Sequence, residues 1–66
     1  MSKEEYRNKV IDAVMYIHEC TREEAVEMVS RMEHIIDNNY ACDTQIPNSI
    51  TTDDIYDTAR EIVYYS

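Results

Sequence analysis

The closing segment ITTDDIYDTAREIVYYS, positions 50–66, sets Asp53, Asp57 and Glu61 four residues apart and interleaves Tyr56, Tyr64 and Tyr65 among them. On a helix this step lines up three carboxylates in one row about 6 Å apart, near the spacing of successive phosphates on a nucleic-acid strand. The row repels itself by a few tenths of a kcal/mol per neighbouring pair, so helix formation alone does not favour it. The chemistry it suits is electrostatic recognition of a basic surface. A single row of this kind is more often a solvated helix face, and only the charge of the whole chain shifts the balance towards a partner.

The tyrosines strengthen that reading. The chain has six, with no Phe and no Trp. A purely apolar aromatic position accepts Phe equally well, so six hydroxyls imply that many reach water or a polar partner. Tyrosine also supplies large contact area at low entropic cost. Tyr6 lies on the apolar stripe of the first segment and is assigned to the edge of the core. Tyr64 and Tyr65 are adjacent and therefore about 100° apart on a helix, so at least one of them must be exposed.

Other groupings carry less chemistry. His18, Cys20, His34 and Cys42 have the ligand types of a zinc site, but no Cys-x-x-Cys or His-x-x-x-His pair occurs, and His18 and Cys20 are about 200° apart on a helix. Neither metal nor cofactor is expected. No glycine is present to build a phosphate loop, and short helices leave little concave volume to hold catalytic groups, so no catalytic residue is assigned. Among the acids, Glu4, Glu5, Glu23, Glu24, Asp53 and Asp54 fall in predicted first turns, where they complement the helix dipole. Glu5 with Lys9, Glu27 with Arg31 and Asp57 with Arg60 are paired by helical spacing. Asp12, Glu33, Asp37, Asp43 and Glu61 have no such local reason. Glu33, Asp37 and Asp43 therefore form a second candidate contact patch behind the Asp53, Asp57, Glu61 row and its tyrosines.

These residues must be positioned by helices. With no glycine and one proline, Pro47, the usual turn residues of a β-rich fold are missing. Three helices are predicted in a single domain spanning residues 1–66. The first, over about 3–19, opens on Ser2 and Glu5 at capping-box spacing and carries the stripe Tyr6, Val10, Ala13, Val14, Ile17. The second, over about 22–37, opens on Thr21 and Glu24 and carries Ala25, Val26, Val29, Met32 and Ile36, with Met28 and Ile35 widening the stripe. Asn38 and Asn39 are expected to end it. The short join implies that the second helix turns sharply back against the first. Tyr40 to Ile50 has no helical period and is expected to be a long loop, with Pro47 biasing Ile46 to an extended conformation. The third helix, over about 52–64, is capped by Thr51 or Thr52 and buries Ile55, Ala59, Ile62 and Val63.

Fourteen acidic against six basic residues give a formal charge of −8 on 66 residues. This disfavours direct binding to nucleic acid or to an anionic membrane and favours a partner protein with a basic surface. No apolar run is long enough to span a bilayer. The polar start MSKEEYRNK lacks a signal-peptide pattern, so Cys20 and Cys42 are expected reduced in the cytoplasm.

A domain this small gains stability from a partner. The expected function is a non-enzymatic protein-binding module that inhibits or regulates a partner by occluding a basic, nucleic-acid-binding surface. In size and charge, though not in motif, it is similar to very small acidic proteins of mobile elements that block host proteins. The alternative is a self-associating structural or accessory subunit, a homodimer whose interface includes Ile11, Met15 or Tyr65. Ile11, Met15 and Met28 facing outward together would form a second apolar surface and strengthen the reading of a dimer or complex.

Overall fold

The computed structural model describes residues 2–43 and 50–66, Asp43 by its backbone alone. Four α-helices follow in order: α1 Lys3–His18, α2 Arg22–Arg31, α3 Glu33–Asp43 and α4 Thr52–Tyr65. Three starts are fixed by side-chain caps at the expected residues. The Ser2 hydroxyl accepts the Glu5 N–H at 3.1 Å, the Thr21 hydroxyl accepts the Glu24 N–H at 3.2 Å, and the Thr51 hydroxyl accepts the Asp54 N–H at 3.3 Å. The Asp54 carboxylate returns the bond by accepting the Thr51 N–H at 3.0 Å, which closes a reciprocal box at the start of α4. With no glycine available, α1 ends on Glu19 in the left-handed region, φ 50° and ψ 49°.

The single long second helix of the sequence reading is in fact two. The chain breaks at Met32, whose φ of −116° and ψ of 32° lie outside the helical region and whose N–H bonds back three residues to the Val29 carbonyl at 3.0 Å. The Met32 carbonyl then accepts the Ile35 N–H at 2.9 Å and begins α3. A straight helix over residues 22–43 would run about 33 Å, the whole 32 Å length of the molecule, and would overhang the about 24 Å of α1. Breaking at Met32 keeps Val29, Ile35 and Ile36 all in the core.

The second half also runs further than expected. Asn38 and Asn39 do not end a helix, and Tyr40 to Asp43 is the last turn of α3 rather than loop. Tertiary contacts outweigh the C-terminal preference of asparagine here. Asn39 spends its amide on Thr58 and Glu61 of α4, and the Tyr40 ring packs on Tyr6 at 5.4 Å. Pro47, Ile46 and the rest of the expected loop over 44–49 lie outside the described residues.

The core joins Tyr6, Val10, Ile11, Ala13 and Val14 of α1 to Ala25 and Val29 of α2, Ile35 and Ile36 of α3, and Ile55, Ala59 and Ile62 of α4. Tyr6 is fully enclosed rather than at the core's edge, and Ile11, whose exposure would have strengthened the dimer reading, is buried with it. One polar side chain, Thr58, is buried among the described residues. Its hydroxyl lies 2.7 Å from the Tyr6 hydroxyl and accepts the Asn39 amide at 3.0 Å. Burying a hydroxyl is tolerable because it is paired.

α2 runs back along α1, as the short join implied: Arg22 meets Asp12, while Arg7 reaches Ser30 and Glu33. α4 runs against α1, with Tyr6 meeting Thr58 and Tyr16 meeting Tyr56. Among the described residues no helix is long and apolar enough to cross a membrane.

Candidate protein-binding surface

α4 presents the predicted acidic row outward. At 100° per residue, the buried positions Ile55, Thr58, Ala59 and Ile62 define one side of the helix, and Asp53, Asp57 and Tyr64 fall on the opposite side, with Glu61 next to them. All four are exposed, Tyr64 at 81%. Arg60 belongs to the same outer side and donates to the Asp57 carboxylate at 2.8 Å, so the row is acidic but not uniformly so.

The other two tyrosines flank it. Tyr65, 62% exposed, turns towards α3 and meets Tyr64 edge-on, with ring centres 5.0 Å apart. Tyr56 turns towards α1, where it is half-buried and edge-on to Tyr16 at 6.2 Å. Both Tyr64 and Tyr65 are thus exposed, beyond the one that helix geometry required. Tyr16, 77% exposed, is a third surface aromatic that the sequence reading did not single out, although its place beside the apolar stripe of α1 was the available signal.

The second predicted patch is tied to α1. Arg7 Nε donates to Glu33 Oε1 at 2.5 Å and Arg7 Nη2 donates to Ser30 at 3.0 Å, so one guanidinium spans the break between α2 and α3. Lys3 pairs with Asp37. Asp43 closes α3, and its side chain lies outside the described residues. Glu33 and Asp37 therefore face cations of their own chain, whereas Asp53 and Glu61 have no ion pair among the described residues. Asp12, also without a local partner in sequence, receives Arg22 at 2.7 Å.

Five of the six lysine and arginine side chains are engaged in ion pairs. Among the described residues most of the exposed carboxylates are in no ion pair and set the surface potential.

Concave space exists where the sequence reading anticipated little. An open groove of about 690 Å³ lies between the break and the end of α4, lined by Met32, His34, Ile35, Asn38, Glu61 and Tyr65. It arises because the chain turns at Met32 and brings α3 beside α4, a proximity that no sequence spacing announces. Glu61 sits at its rim, where its carboxylate accepts the Asn39 amide at 3.2 Å. A second, shallower groove of about 330 Å³ runs between α1 and α4 past Tyr16 and Tyr56.

Ile11, Met15 and Met28 do not form a second outward apolar face. Ile11 is buried, and Met15 and Met28 pack partly against the core. Among the described residues no group of three or more His, Cys, Asp or Glu side chains is arranged to hold a metal ion, and Cys20 and Cys42 are free thiols.

No protein-family model, curated protein or solved structure matches the chain. The surface must therefore be read from its own chemistry.

Proposed function

We propose that this chain is a non-enzymatic binding module that inhibits or regulates a partner protein by covering a basic surface of it, including one that otherwise holds nucleic acid. The observation that carries the reading is the outer side of α4, where Asp53, Asp57 and Glu61 stand in one exposed row beside the exposed Tyr64 and Tyr65. The carboxylates steer and orient a cationic partner, and the tyrosines supply the apolar contact that charge alone lacks. Glu33 and Asp37 contribute less, since Arg7 and Lys3 already occupy them.

The test is capture of partners by the tagged full chain, washed in parallel at low and high salt and with duplex DNA as competitor. A basic nucleic-acid-binding protein should be retained at low salt, leave at high salt, be displaced by DNA, and be lost with the Asp57→Lys, Glu61→Lys double variant. Retention insensitive to salt and to the double variant refutes the reading.

A self-associating subunit is the rival reading, and three exposed aromatics, Tyr16, Tyr64 and Tyr65, are what favour it. A light-scattering mass of twice the chain, abolished by Tyr65→Ser, would establish it.

A further inference from the structure

We infer that the groove between α3 and α4 is a socket for one apolar side chain of the partner, presented next to a lysine or arginine that lies against Glu61. This deepens the proposed function and rests on it, because it specifies how the basic partner is gripped once charge has brought it near.

The groove has the composition such an occupant needs. Met32 and Ile35 give it an apolar floor, and Tyr65 gives it an aromatic wall still 62% exposed. A thioether adapts to differently shaped apolar groups, which suits a surface that must receive a side chain without refolding. The polar lining is Asn38, His34 and one carboxylate, Glu61, on a molecule whose charge is −8. The Glu61 carboxylate accepts a hydrogen bond from the neutral Asn39 amide and is in no ion pair among the described residues, so it is solvated and able to accept from a cation. An acidic occupant is opposed by the same charge. A second copy of the chain brings another −8 and is opposed likewise. An apolar residue beside a basic one satisfies floor, wall and rim together.

The test uses the isotopically labelled full chain and three blocked tetrapeptides, KLLR, KGGR and ELLE, followed by amide chemical-shift titration. KLLR should move the amides of Met32, Ile35, Glu61 and Tyr65 with a dissociation constant on the order of millimolar, and KGGR and ELLE should each bind at least about fivefold more weakly. Glu61→Gln keeps the shape and the acceptor for Asn39 and should weaken KLLR by about two- to fivefold, the range of an exposed ion pair. Tyr65→Ser alters an exposed residue, leaves the core intact, and should weaken KLLR by at least about fivefold.

Equal shifts from KGGR reduce the effect to charge and overturn the socket. Equal shifts from ELLE overturn the role of Glu61, and no groove shifts with any peptide overturn the whole inference. If the same amides move on diluting the chain alone, the occupant is a second copy and the inference is wrong. Failure here is distinguishable from failure of the proposed function, since a captured basic partner still lost with the Asp57→Lys, Glu61→Lys variant leaves occlusion standing without a socket.

Discussion

Thr58 offers the sharpest test of how this small core is held. Its hydroxyl, 2% exposed, is shared by the Tyr6 hydroxyl at 2.7 Å and the Asn39 amide at 3.0 Å. Thr58→Val keeps the volume and exchanges the hydroxyl for a methyl. Losing a buried hydrogen bond costs about 1–3 kcal/mol for the group left behind, and the added methyl returns up to about 0.8 kcal/mol. Asn39 is only half-buried and can turn partly to water, so the net expectation is a loss of about 1–2 kcal/mol. Tyr6→Phe removes the other end of the same bond and should cost about 1 kcal/mol. Because the Tyr6–Thr58 bond is lost in either variant, the double variant should fall short of additivity by about 1 kcal/mol. Urea unfolding followed by helical circular dichroism measures all four corners of the cycle, with an unchanged slope confirming a common unfolded state. Each kcal/mol should also move the thermal midpoint by about 4–8 °C in a domain of this size. Additivity to within about 0.3 kcal/mol would show that the pair is close without being coupled, and the account of the buried hydroxyl would fail.

Three further outcomes follow from features already described. Glu19→Gly should stabilise the domain by about 0.5–1 kcal/mol, because a side chain at φ 50° is strained where glycine is not, and a lower urea midpoint would show that Glu19 earns its place otherwise. Arg7→Met, which releases Ser30 and Glu33 across the break, should cost about 1 kcal/mol, while Lys3→Met, which breaks a pair exposed on both sides, should cost under about 0.5 kcal/mol; equal losses in parallel denaturation curves would contradict this ranking by burial. Tyr64→Ser should leave the midpoint within about 0.5 kcal/mol of the parent yet lower retention of a basic partner in the capture assay, and unchanged retention removes Tyr64 from the surface.

Local signals were readable in the sequence and long-range ones were not. Ser2, Thr21 and Thr51 announced the starts of α1, α2 and α4, because a cap is a hydrogen bond within a few residues. The stripe in α4 placed Ile55, Ala59 and Ile62 inside and the acids outside for the same reason. The break at Met32 carried no glycine or proline to mark it. Asn38 and Asn39 looked like a terminus because their preference for one is intrinsic, whereas the contacts of Asn39 with Thr58 and Glu61 exist only once α4 has docked. Asp12, Glu33 and Asp37 had no explanation at helical spacing, since Arg22, Arg7 and Lys3 reach them from other helices. The carboxylates left without a local reason were mostly those that tie helices together. Of the candidate surface, the outer side of α4 was legible from periodicity alone, while the groove depended on the unforeseen turn.

The contact between Tyr6 and Thr58 also bears on the order in which the molecule assembles. It joins positions 52 apart along the chain, whereas Asp12 and Arg22 are 10 apart. On a flexible chain the longer closure costs about 1.5 kcal/mol more in entropy, so pairing of α1 with α2 is favoured early and docking of α4 late. The groove wall contributed by Glu61 and Tyr65 takes its place only in that late step. A half-assembled chain therefore carries the charge of the finished molecule without its groove, and charge and concave shape arrive at different stages of assembly.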